Sequence, residues 1–439
     1  MSIHRLQRLF LLLALSGAVL AASLWLTYHL LFHRLVTTSF FISLSQFVLL
    51  SFLIILLVRY GMLMWLSYLN AAERQARTDR YADAPFVSIL VPAFNESILI
   101  DKALMALLRL DYPRFEVIVI DDGSSDDTLA RALRLSRLYG ESRIRVISQS
   151  NSGKAVALNH GLAAARGEII VCMDGDSRLT SDTLRHGVEH FGDPTVGAVA
   201  GNVKVVNRRN TLTCLQSLEY IEGLNMVRAA QAFLYGVNIV PGPIGFFRRS
   251  VLVEIGGYQA DTFAEDCDLT LRLLLRGWKI KYEPQAISWT EAPESLHALI
   301  KQRYRWTRGI LQALSKQKGG LWRFRQDPIA CGMLWYMLFE GIVWPAMNVF
   351  ANCFFLFLAW WIGLSSLIVF WWAQLTILDV VAASYCIALE REDQRLIPYA
   401  VLYRLYFILL VDVTKFLASL DELFKVPMAW GKLERLGRI

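Results

Sequence analysis

Three stretches of this chain are almost devoid of charge. Residues 9–31 and 39–58 carry no Asp, Glu, Lys or Arg, and residues 331–389 carry only Glu340 and Asp379. Backbone amides cannot stay unpaired in hydrocarbon, so a run of this kind in contact with lipid must be helical. About 20 apolar residues cross a bilayer as one helix. The first two runs are each long enough for one crossing, and the third for two. Residues 71–330 between them have ordinary globular composition. The plan is therefore membrane, soluble domain, membrane, and 55% apolar residues overall is too greasy for an ordinary soluble protein. A cleaved signal peptide at 9–31, preceded by Arg5 and Arg8, is the competing reading. The length of that run, and a second run directly after it, disfavour it.

Basic residues orient such a chain because they collect on the cytoplasmic side. His4, Arg5 and Arg8 precede the first run, and Arg59 and the segment Ala71–Arg80 follow the second. His33 and Arg34, between the runs, oppose this more weakly. The N-terminus and the soluble domain are expected in the cytoplasm. The net charge of +7 fits that bias plus attraction to anionic lipid and nucleotide. No long basic run is present, so nucleic acid is not an expected partner. The six cysteines form no CxxC pair, which points to reduced thiols. His186 and His190 lack the glutamate of a zinc-protease motif and read as a solvated helix face.

The expected organisation is two membrane helices in 1–70, a soluble domain in 71–292 and amphipathic interfacial helices in 293–330. A second membrane region of two to four spans, with a basic tail, occupies 331–439. Residues 397–420 are either a further span or an interfacial helix, because Arg404, Asp412 and Lys415 interrupt them. Lys425, Lys432, Arg435 and Arg438 favour a cytoplasmic tail. That requires an even number of C-terminal crossings, whereas a simple count gives three.

Within the soluble domain, Phe86–Val91 reads as a buried strand ended by Pro92, followed by strands at Phe115–Ile120, Arg143–Ser148 and Glu168–Met173. Helical stretches alternate with them. The expected fold class is α/β, with a mostly parallel, Rossmann-like sheet and right-handed crossovers. Such sheets bind ligands beyond the carboxyl ends of their strands. Asp121, Asp122, Asp174 and Asp176 all fall at those ends, so four carboxylates are expected on one rim. Further on, Val196–Val206 reads as a strand, 211–234 as a helix and Pro241–Gly245 as a loop. Glu265–Gly277 and Pro293 to about Lys318 read as helices.

Each motif has an ordinary alternative. Asp174-Gly175-Asp176 can share Mg²⁺ or Mn²⁺, which take few protein oxygens and complete their shell with water and phosphate. A lone DxD is more often a turn. Asp121-Asp122-Gly123-Ser124 can hold a nucleoside through carboxylate hydrogen bonds, or simply cap a helix. Lys154 follows Gly153 near a helix N-terminus, where phosphate is favoured, but the P-loop spacing is absent. Asp268 and Arg272 are spaced as a structural i,i+4 pair. Asp266 can be a general base if an apolar setting raises its pKa, or a helix cap. Gln302, Arg305 and Trp306 share one helix face, with Arg303 and Tyr304 off it. Trp can stack on a sugar, Arg can clamp diphosphate, and Gln can bond hydroxyls. A membrane-interface belt uses the same residue types.

Together these motifs resemble the processive membrane synthases of glycosyltransferase family 2, which include cellulose, chitin, hyaluronan and poly-N-acetylglucosamine synthases. The matching elements are Pro92-Ala93-Phe94-Asn95-Glu96, Asp121-Asp122-Gly123, Asp174-Gly175-Asp176, Ala264-Glu265-Asp266 and Gln302–Trp306. The last fits the QxxRW signature of the polymerising branch. Ala264 departs from a threonine common at that position. Gly201-Asn202 and Pro241–Gly245 look more like the bacterial members that handle N-acetylglucosamine.

The resemblance implies a GT-A domain between N- and C-terminal membrane helices of a bacterial inner-membrane protein. It also implies roles. Asp121 and Asp122 would contact uridine, and Lys154 would sit near the diphosphate. Asp174 and Asp176 would bind Mg²⁺ or Mn²⁺. Asp266 would be the base, beside Glu265 in the substrate site. Gln302, Arg303, Arg305 and Trp306 would hold diphosphate and acceptor sugar. The expected activity is inverting, processive hexosyl transfer from a UDP-sugar to a growing polysaccharide, in contact with lipid and with or without a small membrane subunit. N-acetylglucosamine is the expected unit, and the polymer is expected to pass through the chain's own spans. Transfer of a single sugar to a lipid phosphate, a cellulose- or hyaluronan-type synthase using a different UDP-sugar, and a non-catalytic nucleotide-sensing transporter or scaffold are the rival expectations.

Overall fold

A computed structural model describes residues 3–29, 40–76, 84–362 and 365–427. Its centre is an eight-stranded sheet ordered β3-β2-β1-β4-β7-β6-β8-β5. The strands are β1 (Val87–Ala93), β2 (Phe115–Asp122), β3 (Ile144–Gln149), β4 (Ile169–Cys172), β5 (Ser177–Leu179), β6 (Val196–Val205), β7 (Gly245–Arg248) and β8 (Lys279–Thr290). β1 pairs in parallel with β2 and β4, and β2 with β3. Helices Ile100–Leu107, Thr128–Tyr139 and Lys154–Ala164 connect these strands. Val87, Ile89 and Val91 of β1 join one apolar cluster, and Leu90 joins the other. A strand covered on both faces has no solvent side, which is why β1 and β2 read as continuous apolar runs.

β1 does not stop at Pro92 but runs on to Ala93. The Leu90 carbonyl accepts from Met173 N, so alternate residues 88, 90 and 92 turn their backbone toward β4. The β4 ladder ends at Leu90–Cys172, and the missing proline amide therefore faces no strand partner. The other half of the sheet is mixed. β7 is antiparallel to β4 and β6, and β5 is antiparallel to β8.

Five helical segments among the described residues are long and apolar enough to cross a membrane: His4–His29, Gln46–Ala76, Pro328–Phe357, Val369–Glu390 and Gln394–Leu423. The second helix extends through Ala76, so Glu73 and Arg74 are helical rather than part of a linker. His33, Arg34, Arg77 and Arg80, and the tail residues Lys432, Arg435 and Arg438, lie outside the described residues.

Charged side chains fasten the sheet to these helices. Glu283 of β8 receives Arg74 at 2.6 Å and His190 at 2.9 Å. His190 is thus buried and paired, which corrects its reading as part of a solvated face. Glu392, just past the helix Ser365–Glu390, pairs with Lys204 of β6 at 2.9 Å and with Arg208 at 2.7 Å. Asn202 donates to Glu390 at 2.6 Å. The last apolar segment is held to the soluble domain at both ends. Glu392 anchors its start. At its finish Asp421 receives Tyr304 at 2.6 Å and Glu422 receives Arg308 at 2.7 Å.

Burial alone would raise the Glu283 carboxyl, but the Arg74 charge and the His190 contact outweigh it and hold its pKa at about 2. Its contribution is therefore present above the ordinary carboxylate range and is lost as pH falls toward about 2. Glu283→Gln leaves Arg74 without its charge partner and should cost about 3 kcal/mol at neutral pH. Denaturant unfolding in detergent checks this, and the loss should shrink on acidification.

Candidate active site

The rim at the carboxyl ends of β1, β2 and β4 carries the acidic motifs. Asp121 and Asp122 are the last residues of β2, in register with Ser148 and Gln149 of β3. Their neighbours divide their roles. Asp121 Oδ2 accepts from Ser124 N at 3.3 Å, while its buried Oδ1 has no partner among the described residues. Asp122 accepts from Gln149 Nε2 at 2.7 Å, Ser152 N at 2.8 Å and Gly153 N at 2.9 Å. It organises the loop that presents Lys154, and Asp121 keeps an acceptor for a ligand donor. Gly123 has a φ of 72°, and a Cβ there would stand 2.7 Å from Asn151 N. Both the backbone conformation and the close approach require glycine.

Below this rim is a narrow cleft lined by Pro92, Lys154, Asp174, Gly242, Glu265 and Asp266, among others. Lys154 opens the helix Lys154–Ala164. Its Nζ stands 2.7 Å from Asp174 and 2.8 Å from Glu265, joining the β4 end to the turn before the helix Glu265–Leu274. Asp266 Oδ1 accepts from Cys267 N at 2.8 Å and Oδ2 from Gly242 N at 3.3 Å. Burial, then the Glu265 charge, raises the Asp266 pKa to about 6, against the opposing Lys154 charge. Such a carboxylate is a stronger base than an exposed one and is still ionised at neutral pH. Asp121, Asp122, Asp176 and the Gln302–Trp306 side chains do not line this cleft.

The helix Leu296–Lys316 carries Gln302, Arg303, Arg305 and Trp306. A Cβ on Gly309 would lie 2.8 Å from Ala264 N and 2.9 Å from Phe263 C. Glycine thus lets this helix rest directly on the backbone that leads into Glu265-Asp266. Arg303 is buried and donates to both carboxylate oxygens of Glu219, at 2.9 and 2.5 Å, and to Gln302. Its guanidinium lies 4.4 Å from the Trp306 ring centroid, and Tyr220 flanks the same ring at 6.4 Å. Arg303 thus braces the Trp306 platform, while Arg305 and Trp306 remain partly exposed. Glu219, Tyr220 and Gly309 join the candidate site but are not evident from the motifs, whereas Gly242 falls in the Pro241–Gly245 loop. A charged residue directly after the apolar face of Thr211–Glu219 is the only sequence signal for Glu219.

Asp174 and Asp176 suit a hard divalent cation. A Cβ on Gly242 would stand 2.7 Å from Lys154 Nζ and 3.1 Å from Asp174 Oδ2, so glycine leaves room for a ligand beside this pair. Among the described residues no third His, Cys, Asp or Glu completes a ligand cluster. Two carboxylates without a third are the donor set of an ion that draws further ligands from phosphate and water.

Residues 84–309 match the profile of a family described as "Glycosyltransferase like family 2". The chain is 33% identical over 258 residues to the poly-beta-1,6-N-acetyl-D-glucosamine synthase of Staphylococcus aureus, covering 58% of this chain and 61% of that protein. The enzyme of the same name from Staphylococcus epidermidis is 33% identical over 224 residues, 51% of this chain and 54% of the relative. The chain thus spans less than two thirds of the curated relatives it matches. Among solved structures, the mannosyltransferase PcManGT from Pyrobaculum calidifontis, in complex with GDP-Man and Mn²⁺, superposes with a TM-score of 0.62. It has 22% identity, with 86% of this chain and 100% of that one covered. That likeness establishes a GT-A-like fold.

Gly242→Ala should weaken binding of a nucleoside diphosphate with Mn²⁺ about tenfold, or about 1.4 kcal/mol, without lowering the melting temperature. Calorimetric titration and a thermal melt on the same sample check this.

Proposed function

The chain belongs to glycosyltransferase-like family 2, and from that membership we propose that it is an inverting, processive β-glycosyltransferase that builds a polysaccharide, with N-acetylglucosamine from a UDP-sugar as the unit. The observation that carries this reading is the seating of the Gln302 helix on the Ala264–Asp266 turn through Gly309. It joins a sugar-stacking platform to a carboxyl of raised pKa. The 33% identity to synthases named for poly-β-1,6-N-acetylglucosamine supports the choice of sugar.

In this reading Asp121 holds the nucleoside and Asp122 keeps the Lys154 loop in place. Lys154 turns its charge to the diphosphate. A divalent cation at Asp174 and Asp176 would neutralise the departing UDP. Asp266 accepts the proton of the acceptor hydroxyl as that oxygen attacks the anomeric carbon from the face opposite the leaving group. Trp306, braced by Arg303 and Tyr220, carries the acceptor sugar, and Arg305 adds charge on the diphosphate side.

The helices before and after the catalytic domain would place it at the cytoplasmic face of a bacterial inner membrane. The segment Gln394–Leu423 is long enough to cross, but both its ends contact the soluble domain. These contacts support a segment lying along the membrane face, which would leave an even number of C-terminal crossings and a cytoplasmic tail. A cysteine at Lys425 should react with an impermeant maleimide only in inverted vesicles. Labelling of intact spheroplasts would make the segment a crossing.

Asp266→Asn should retain UDP binding and lower turnover about 10²–10⁴-fold. In the wild type kcat/KM should rise with pH through about 6, because only the ionised Asp266 accepts a proton. A variant that polymerises normally removes Asp266 from this role. Incubation with UDP-sugars and GDP-mannose, followed by sizing and linkage analysis, tests the whole reading. Products limited to single-sugar lipid adducts would overturn processivity.

A further inference from the structure

One buried acidic side chain outside the cleft, Glu222, stands without a hydrogen-bond partner among the described residues. Glu222 is 3% exposed, and neither of its carboxylate oxygens has a hydrogen-bond partner among the described residues. Burying an unpaired carboxylate is so costly that the group takes up a proton instead. Here burial drives its pKa well upward, the Asp379 charge adds to this, and Arg404 opposes it. Burial without a partner thus favours the protonated carboxylic acid, which offers one donor and one acceptor.

Its surroundings are polar although they lie among apolar helices. Arg404 donates to Asp379 at 2.7 Å, and Tyr60 reaches the same carboxylate at 3.5 Å. Arg59 pairs with Glu340 at 2.5 Å and lies 5.4 Å from the Tyr60 ring centroid. Arg59, Glu340 and Asp379 stand on candidate membrane spans, where ionisable groups mark the route of something polar more often than they serve packing. Glu222, Glu340 and Arg404 also share a backbone feature. They sit in the π-type turns Tyr220–Met226, Phe339–Val343 and Tyr403–Phe407. Such turns are rare and concentrate at functional sites.

The turn that bears Glu222 begins at the acceptor platform. Tyr220 flanks Trp306, and Glu219, just before it, holds Arg303. One helical turn thus links the Gln302–Trp306 motif to the interior polar cluster. Both ion pairs in that cluster are already balanced, so it offers dipoles rather than net charge. An uncharged, hydroxyl-rich chain fits it better than a cation or anion.

We propose that Glu222 is a binding site for the elongating glycan, hydrogen-bonding a hydroxyl or acetamide group of a sugar unit beyond Trp306. This rests on the processive reading above. A carboxylic acid both donates and accepts, as a hydroxyl does. Being uncharged, it would hold a sugar without trapping it.

The test uses the purified full-length protein. N,N′-dicyclohexylcarbodiimide modifies protonated carboxyls in apolar surroundings, and peptide mass spectrometry locates the adduct. Glu222 should be labelled, and a β-1,6-linked N-acetylglucosamine hexamer should reduce labelling several-fold, whereas UDP alone should not. Absent labelling, or labelling undiminished by the hexamer, overturns the proposal. In a second arm, Glu222→Leu should shorten the polymer several-fold at saturating donor, while Glu222→Gln keeps wild-type length. Full-length polymer from the leucine variant overturns the proposal. If that variant does not fold, the wild-type labelling decides. If the wild type makes polymer but the hexamer does not protect Glu222, only this site is lost. If the wild type makes single-sugar products, the processive reading falls.

Discussion

The site depends on one close contact, in which Gly309 brings the Gln302 helix against the backbone at Phe263-Ala264. A backbone-to-backbone approach of this kind tolerates no side chain. It sets the distance between a platform on one element and a carboxyl on another. The same helix is fixed at its far side by Glu219 through Arg303, and by Asp421 and Glu422 through Tyr304 and Arg308. Platform, base turn and last apolar segment therefore move together or not at all.

Charge balance in a low-dielectric interior explains much of the rest. Lys154 sits between Asp174 and Glu265, Arg74 and His190 converge on Glu283, and Arg404 meets Asp379. Breaking such a pair leaves a buried charge, which is why pairs like these hold register between elements. Asp266 and Glu222 stand apart from these pairs. Asp266 keeps a raised pKa because burial and the Glu265 charge outweigh Lys154. Neither Glu222 oxygen has a hydrogen-bond partner among the described residues. A protein retains such imbalances where a ligand restores the balance, and this makes the exceptions more informative than the pairs.

Much of the fold was legible in the sequence because its signals are local. The apolar runs, the buried strands β1, β2, β3 and β4, and the acidic residues at their ends all follow from short periodicities. β8 was not read from the sequence, although Lys279, Lys281 and Glu283 alternate with Ile280 and Tyr282. Its polar face is buried against Glu73 and Arg74 rather than exposed, and for that reason it does not look like an ordinary half-buried strand. Pro92 looked like a strand end because its missing amide ordinarily breaks a ladder. Here the neighbouring strand has already stopped.

What the sequence by itself determined is the inventory and its order: membrane helices, rim carboxylates, a base candidate, and an aromatic-basic helix. These are properties of residues within a turn or strand of one another. The tertiary structure decided how each group is used. It tied Asp122 to the loop before Lys154, set Arg303 against Glu219 and the Trp306 ring, brought both ends of Gln394–Leu423 to the soluble domain, and left Asp121 Oδ1 and Glu222 without hydrogen-bond partners among the described residues. Each of those outcomes depends on a partner distant in the chain, such as Glu219 for Arg303 or Gln149 for Asp122. No local periodicity carries the identity of such a partner, because only the packed fold brings the two together.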